Sequence, residues 1–583
     1  RRPPRYTLFP YTTLFRSERA GIVFIGPSAK ALSLIGNKIT AKQAARQAGI
    51  QVLDSISAGP DFIPQNRVEL AFPLMIKACH GGGGKGMQVV NSHPELIQKL
   101  EQSSRSAANF FGNNEIFLEP YIANARHVEV QLMADKNGNV VHLYDRDCTL
   151  QRNHQKIIEE APAEFLSNEI RQSIWSAAIK LGQTIGYENA GTVEFLVEPS
   201  GKFYFMEMNP RIQVEHTVTE AVTGIDLVRE QLSVAAGNPL SFFQNEIRLT
   251  GHAIQARIYT EDPFNGFRPS SWEWCYYHLP DSHNVRVETE LLANVVPANR
   301  YEPLAAKVIV HAASREQAIS QLQKELHNTV LLGPETNLSY LNGIIKSKYY
   351  LANTTNTRFL EDHHEELKNL VADEHNKIDY RFIIAAFVLF HNQSTSDSNK
   401  RVWGELPRWR MFPWYDVRIG PLNYSFFYRF SNNKLTVESG QIDFEAQFEK
   451  LSANQFVVTI ENQQEQISVA VKHNAGTLVH AFGQVSMVKC VQFESHYPAW
   501  TQGFASQQKQ HGDIVASPLH GKIVKIAAQH QQAVEANDLL VVIEAMKSEN
   551  RVLAPKKGRV EKIFCKVGDQ VADGMPLLII EDQ

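Results

Sequence analysis

In FMEMNPRIQVEH (Phe205–His216), Glu207, Asn209, Arg211, Gln213 and Glu215 recur at every second position. If the chain is extended they share one face. Five polar groups beside the apolar run KFYF are costly in a core unless ions or ligands match them. Glu194, in the apolar stretch GTVEFLVE, adds a further carboxylate. Carboxylate and amide oxygens suit a hard divalent cation that also touches substrate phosphates. The competing reading is a salt-bridged surface strand. Pro210 argues against a regular central strand throughout, so the later part is expected to be a shaped loop.

A second candidate is MIKACHGGGGKGMQVV (Met75–Val90), in which Gly81, Gly82, Gly83 and Gly84 lie between two apolar runs. Backbone N–H groups of such a loop can close on phosphate oxygens, because glycine lets the chain approach closely. A flexible hairpin would look the same, and no Gly-Lys-Ser/Thr opens a helix here as it would in a Walker loop. The third is RDCTLQRNHQKIIEEAPA (Arg146–Ala163), with Arg146, Arg152, His154, Lys156, Glu159 and Glu160. Read on its own, this is an exposed ion-pair network of little energetic weight.

The fourth is a single amine. Lys547 follows the apolar run Leu539–Ile543 in IEAMKSENR, between Met546 and Ser548. VASPLHGKIVKI (Val515–Ile526) and VLAPKKGRVEKI (Val552–Ile563) match without a gap at a separation of 37 residues, which persists through Val534/Val571, Leu540/Leu577 and Ile543/Ile580. Such self-similarity marks a structural repeat. Two halves of short strands, neither able to bury its own apolar face, are expected to pack as a small pseudo-symmetric β-sandwich. Lys547 then falls on the turn between the halves, where another protein can reach it for covalent attachment.

These motifs resemble known families. Glu544-Ala545-Met546-Lys547 is similar to the biotinylation motif of biotin carboxyl carrier domains, with Ser548 where the family commonly has Met. A lipoyl domain, which shares that fold, is the near alternative and usually carries a different tip. GNKITAK (Gly36–Lys42), the glycine loop, FLEPYI, RHVEVQ, RDCTLQRNHQK, MNPRIQVEHTVTE and ARIYTEDP resemble biotin carboxylase, in order, from about Glu18 to Leu367. The resemblance implies an ATP-grasp fold and ligase activity. It places ATP against Lys38, Lys77, Glu119, Ile122, His127, Gln151, His154 and the lid glycines. It assigns Mg²⁺ or Mn²⁺ to Glu194, Glu207 and Asn209, and bicarbonate to Lys156, Arg211, Gln213, Val214 and Glu215. It makes Glu215 the base on bicarbonate and Arg286 the cation that faces biotin carried on Lys547. Arg211 and Lys156 complete the catalytic set.

The surrounding elements must hold these groups. NKIDYRFIIAAFVLF (Asn376–Phe390) reads as a helix apolar nearly all round, hence sheathed. From Trp409 to about Phe493, alternating stretches such as YSFFYRF and QISVAVK predict an antiparallel barrel that can sheathe that helix. This arrangement resembles the domain of acyl-CoA carboxylase α subunits that docks the carboxyltransferase β subunit; a purely intramolecular spacer is the alternative. The polar Thr501–Gly512 is expected to be a swinging linker of roughly 20 Å root-mean-square span. PSSWEWCYYHLP (Pro269–Pro280) departs from the family's usual stretch, and ELPRWRMF (Glu405–Phe412) favours the 3-methylcrotonyl-CoA type over the propionyl-CoA type.

The fold class expected is multidomain α+β: an ATP-grasp biotin carboxylase lacking most of its N-terminal α/β lobe, a β-barrel-with-helix linking domain, and a C-terminal biotinyl/lipoyl-like flattened β-barrel. The expected boundaries are 1–17 (translated adapter sequence), 18–48 (lobe remnant), 49–235 (ATP-grasp), 236–367 (carboxylase C-terminal domain), 376–500 (docking), 501–512 (linker) and 513–583 (carrier). At 583 residues with a net charge of −4, the chain lacks the basic surplus of a general nucleic-acid binder. It has no apolar run of membrane-spanning length. Its five scattered cysteines suit a reducing compartment, read here as the bacterial cytoplasm. The implied partners are the carboxyltransferase β subunit in a hetero-oligomer, biotin protein ligase, bicarbonate, and an acyl-CoA met through the β subunit. A non-catalytic biotin carrier with an inactive carboxylase half is the alternative from another class.

Overall fold

The computed structural model describes residues 17, 20–58, 71–79, 87–111, 113–152, 155–270, 273–291, 303–392, 414–431, 433–440, 442–472, 476–490, 513–519, 521–545, 548–571 and 575–581. The lid glycines, His154, Lys547, the Thr501–Gly512 linker, the Glu405–Phe412 stretch and residues 1–16 lie outside them.

Strands β1 (Ile56–Ser57), β2 (Leu74–Ala78), β3 (Gln88–Val90) and β4 (Ile116–Pro120) form a sheet in the order β1-β4-β2-β3. The pairing of β2 with β3 makes the expected strand–loop–strand unit around the glycine run. Helix α1 (Lys38–Gln47) starts at Asn37, whose side chain accepts from the N–H groups of Ile39 and Thr40. Helix α2 (His93–Phe111) covers this sheet, with Leu96 and Ala107 in the core formed by Leu74, Ile76 and Leu118.

The central element is an eight-stranded sheet. It contains β5 (Arg126–Ala134), β6 (Val140–Arg152), β7 (Gln155–Ala161), β8 (Asn189–Val197), β9 (Phe203–Asn209) and β10 (His252–Tyr259). After the ribbon β11 (Glu261–Asp262) and β12 (Arg268–Pro269), and β13 (Tyr276–His278), it is completed by β14 (Val285–Thr289) and β15 (Leu304–Ala312). The order is β14-β15-β10-β7-β6-β5-β8-β9. Period-two alternation splits β5 cleanly. Val128, Val130, Leu132 and Ala134 enter an apolar core with Ile174, Ala178 and Leu181 of α3 (Asn168–Ile185). His127, Glu129 and Gln131 are also buried, on the alternate positions. On the far side of the sheet, α4 (His216–Thr223) packs against β10 and β15. Helix α5 (Arg315–Asn328) buries Ala318, Ile319, Leu322 and Leu326 against β10 and β15.

The PSSWEWCYYHLP stretch acquires a physical role. Strand β13 pairs with β16 (Val330–Leu332), and Cys275, Tyr276, Val330 and Leu332 pack against Ala470, Leu478 and Met487 of the barrel that follows. Lys472 Nζ donates to the Gly333 carbonyl at 2.8 Å across the same seam.

The barrel is closed and has eight antiparallel strands: β17 (Trp414–Ile419), β18 (Leu422–Ser431), β19 (Lys434–Glu438), β20 (Phe444–Lys450), β21 (Gln455–Ile460), β22 (Gln463–Lys472), β23 (Gly476–Ala481) and β24 (Gln484–Cys490). Helix α6 (Tyr380–His391) shares its core, with Phe382, Ile383, Ile384, Phe387 and Val388 fully buried. The helix begins four residues later than the apolar pattern suggests, because the Asp379 side chain caps it by accepting from the Arg381 N–H.

The C-terminal unit contains β25 (Asp513–Ala516), β26 (Gly521–Ile526), β27 (Ala533–Val534), β28 (Leu539–Ala545), β29 (Ser548–Leu553), β30 (Gly558–Ile563), β31 (Gln570–Val571) and β32 (Pro576–Glu581). Its two sheets run β25-β32-β30-β27 and β29-β28-β26-β31. Exchanging each strand for its repeat counterpart turns one order into the other. Each sheet therefore takes strands from both copies, so neither half closes a core alone. Ile523, Leu540, Ile543, Val560, Leu577 and Ile580 fill the space between them.

Candidate active site

Strand register assembles the site. Glu207 of β9 is the direct partner of Glu194 on β8, Glu194 of Glu129 on β5, and Glu129 of Arg146 on β6. Four charged residues thus form a row across four strands. Their order depends on an irregularity: Glu194 pairs with Glu207, but Phe195 pairs with Phe205, so β9 carries one extra residue at this point. The bulge lets Phe203 and Phe205 stay in the core while Glu207 aligns with Glu194. Strand β9 ends at Asn209, before Pro210, and the segment to Glu215 is a turn leading into α4.

Lys156 of β7 is the centre of the cluster. Its Nζ donates to Glu129 Oε2 at 2.5 Å, Glu215 Oε1 at 2.5 Å and Glu194 Oε1 at 3.1 Å. Burial alone would favour the neutral amine, but Glu129, Glu194 and Glu215 together raise Lys156 well above the ordinary lysine value. The other oxygen of Glu215 accepts from Arg257 Nη2 at 2.9 Å. Burial opposes ionisation of Glu215, yet Lys156 and Arg257 hold its carboxyl far below the usual range. Arg257 is itself held by Glu159, to which its Nε donates at 2.5 Å. Arg146, fully buried, reaches Glu129, Gln131, Thr192, Gln213 and Thr219. Of the basic and acidic cluster of 146–163, which on its own reads as an exposed network, Arg146, Glu159 and Glu160 are instead buried, and Arg152 and Lys156 partly so. The reason is that the strand carrying the adjacent Glu159 and Glu160 lies inside the sheet, and both of the faces to which they point are covered.

The groups proposed for a metal are adjacent. Asn209 Nδ2 and Gln213 Nε2 both donate to Glu194 Oε1 at 2.9 Å. His127 Nε2 lies 3.3 Å from Glu194 Oε2, and Gln151 Nε2 is 2.7 Å from His127 Nδ1. Glu207 pairs with Lys38 at 2.8 Å. Ligand atoms of His127, Glu129 and Glu194 fall within 4.8 Å of one another. This oxygen-rich donor set, next to cations able to meet phosphates, fits Mg²⁺ or Mn²⁺.

Beside it, Lys38 opens α1 and donates its backbone N–H to Cys79 O at the end of β2. Lys77 Nζ is 2.8 Å from Glu119 Oε2, and the buried Lys42 pairs with the other oxygen of Glu119. Burial and the Lys38 ammonium push Lys77 down to about 8; burial and Lys77 push Lys42 down to about 7. Ile122 lines a cleft with Val52, Leu53 and Tyr204. Arg211 is exposed, and its nearest bond is to the Ile212 carbonyl at 3.1 Å. Val214 presents its carbonyl to Lys307 Nζ at 2.6 Å. Arg286 is half exposed at the edge, with Nη1 2.6 Å from Glu220 Oε2.

The structure thus brings together Lys38, Lys77, Glu119, His127, Gln151, Lys156, Glu194, Glu207, Asn209, Gln213 and Glu215. Sequence reasoning missed Glu129, Arg257, Lys42 and Lys307. Glu129, Arg257 and Lys42 stand inside the motifs RHVEVQ, ARIYTEDP and GNKITAK, and Glu129 alternates with Val128 and Val130. That alternation was the available signal.

Comparison with known proteins places these pieces in context. Residues 37–243 match the family described as carbamoyl-phosphate synthase L chain, ATP binding domain; 255–362 match the biotin carboxylase C-terminal domain; and 512–580 match the family described as biotin-requiring enzyme. The chain is 33% identical to methylcrotonoyl-CoA carboxylase subunit alpha, mitochondrial, of Glycine max, over 97% of this chain and 83% of the relative. Among solved structures, Campylobacter jejuni biotin carboxylase in an ATP complex shares a TM-score of 0.59 at 36% identity, covering 60% of this chain and 79% of that one. The biotin carboxylase domain of Hydrogenobacter thermophilus 2-oxoglutarate carboxylase, bound to MgADP, ADP and bicarbonate, gives 0.58 at 36% identity, covering 61% and 80%.

Proposed function

Because this chain belongs to the α subunits of biotin-dependent acyl-CoA carboxylases, the family of methylcrotonoyl-CoA carboxylase subunit alpha, we propose that it carboxylates its own biotin with ATP and bicarbonate and delivers the carboxyl group to 3-methylcrotonoyl-CoA on a separate carboxyltransferase subunit. Membership brings biotin, ATP and Mg²⁺ or Mn²⁺ as cofactors, and a β subunit as partner. Biotin protein ligase attaching biotin at Lys547, and the acyl specificity, belong to the proposal. Among the described residues, no helix is long and apolar enough to cross a membrane. All five cysteines are free thiols, which supports a reducing compartment. The mitochondrial relatives lend no support to the expected bacterial origin.

The observation that carries the reading is the Lys156 ammonium shared by three buried carboxylates, with Arg257 on the opposite side of Glu215. Bicarbonate is a poor nucleophile unless deprotonated and oriented. Its arrival at Lys156 would take over a hydrogen bond now given to Glu215. Relieved of one cation, Glu215 gains proton affinity just where a base is needed. Gln213 and Arg211 supply donors to the anion, and Lys38 and Lys77 meet the phosphates of ATP so that the bicarbonate oxygen attacks in line at the γ-phosphorus and ADP leaves. Glu194, Glu207 and Asn209 would hold the divalent cation, which supplies neutralisation of phosphate charge. Arg286, at the half-exposed edge, would orient the carrier-borne ring when it enters.

The test is ATP cleavage by the purified chain. The reading predicts cleavage that requires bicarbonate and rises with free biotin. A chain that accepts biotin on Lys547 but shows no such cleavage contradicts it and leaves the carrier reading standing.

A further inference from the structure

The reaction leaves PSSWEWCYYHLP unused, yet the structure gives this stretch two apolar faces. Its strand β13 forms a ribbon with β16, in which Tyr276 stands opposite Leu332, Tyr277 opposite Leu331 and His278 opposite Val330. Successive side chains of a strand point to opposite sides. Tyr277 and Leu331 accordingly enter the carboxylase core, together with Trp274 and Leu322. Tyr276, Val330 and Leu332 point the other way and meet the barrel.

The barrel presents a matching row. Ala470 of β22, Leu478 of β23 and Met487 of β24 are successive cross-strand partners. They face outward, because the alternate residues Val469, Val479 and Val488 fill the barrel interior. Ser468 and His480, the next pair on that outward face, are buried as well. The outside of a small barrel is ordinarily wet; this part of it is apolar and covered.

Two glycines allow the close approach. At Gly333, with φ +142°, a Cβ would stand 2.3 Å from the Glu273 carbonyl oxygen. At Gly483, in the turn between β23 and β24, φ is +70° and a Cβ would stand 2.5 Å from His327 Nδ1 at the end of α5. Lys472 Nζ donates to the Gly333 carbonyl across the seam. Beyond Gly333 the same segment is tied to the catalytic sheet. Asn337 Oδ1 accepts from the Tyr259 N–H at 2.8 Å, and its Nδ2 donates to the Arg257 carbonyl at 3.0 Å. Opening the seam would bring Val330, Leu332, Ala470 and Leu478, all buried, into water.

We propose that the β13–β16 ribbon is a latch between the carboxylase and the barrel, so that the two move as one body and the barrel presents its free side at a set orientation to the Lys156 cluster. The carboxylase supplies one face of the ribbon with a core, and the barrel supplies the other. The latch is independent of the reaction proposed above.

Two native thiols read it. Cys275 is half-buried in the seam, and Cys490 is exposed on the last strand of the barrel. Burial pushes both thiols up, so access separates them more than acidity does. The full chain is treated with iodoacetamide under native conditions, and alkylation at each position is followed by peptide mass spectrometry. In the unaltered chain Cys275 should react about tenfold or more slowly than Cys490. Leu478→Asp, which places a charge on the barrel side of the seam, should raise the Cys275 rate about tenfold and leave Cys490 unchanged. Leu478→Met keeps the seam apolar and should keep the protection. Met487→Glu, on a partly buried side chain, should act as Leu478→Asp does and serves if that variant does not fold. Cys275 as reactive as Cys490 in the unaltered chain, or protection that persists in the folded charged variants, overturns the latch.

Discussion

The central sheet and the C-terminal unit solve opposite problems. The sheet and the turn before α4 bury Glu129, Glu159, Glu194, Glu215 and Arg146 around the largely covered Lys156, whereas Ser517 is the one buried polar side chain among the described side chains of 513–581. Buried ions hold only while paired, and pairing leaves them ready to exchange one partner for a substrate ion. An aliphatic core has nothing to exchange. It makes a rigid body that can carry a reactive group at a turn without sharing in the chemistry. The difference separates where charge is activated from where the product is carried.

The contrast breaks most sharply at the attachment point. Lys547→Arg should abolish biotin attachment, read as loss of one biotin's mass from the intact chain, while ATP cleavage driven by free biotin stays unchanged. Next in size is Lys156→Met, which removes the cation that three carboxylates share. Cleavage should fall on the order of 100- to 1,000-fold, as when one preorganised donor is lost. Stability should drop by up to about 3–5 kcal/mol because three buried carboxylates are left sharing fewer cations, Arg146 and Arg257. The converse substitution is Phe387→Ala, in the helix that fills the barrel. It should cost about 3–5 kcal/mol in the barrel's transition by denaturant melting, with no change in bicarbonate-dependent cleavage.

The smallest effect is protonic. Lys77, held near 8 by burial and Lys38, is half neutral at pH 8. Phosphate restores its charge, so nucleotide binding at that pH should take up protons, measured by calorimetry in buffers of different ionisation enthalpy. The sign follows from the lowered value. Above pH 8 the free protein has lost a proton that the complex retains, so affinity should weaken toward about tenfold per pH unit. Below pH 7 the uptake should vanish.

Most of the fold was legible because its signals are periodic. The 37-residue repeat of the carrier needs only one matched register, and the interlocked strand orders follow from it. The sheathed helix was visible from its apolar girdle, though its start was set by the Asp379 cap, a local hydrogen bond that hydropathy does not carry. The site was less legible, for physical reasons. Alternation placed Glu207 and Asn209 on one face, but the bulge opposite Glu194 decides which face that is, and a bulge depends on the partner strand. The exposure expected for residues 146–163 failed because burial depends on what covers the sheet, here α3 on one side and α4 on the other. Arg257 and Lys307 were missed because each acts on a residue more than 40 positions away in sequence, across registers that no local pattern fixes.

The most direct measurement follows isotope from bicarbonate to the carrier. The biotinylated chain is incubated with ATP, a divalent cation and ¹⁴C-bicarbonate, then separated quickly from free label. ATP-dependent, acid-labile ¹⁴C on the chain, absent from Lys547→Arg, is the predicted result. Fully biotinylated chain that acquires no label in the presence of ATP would contradict the account.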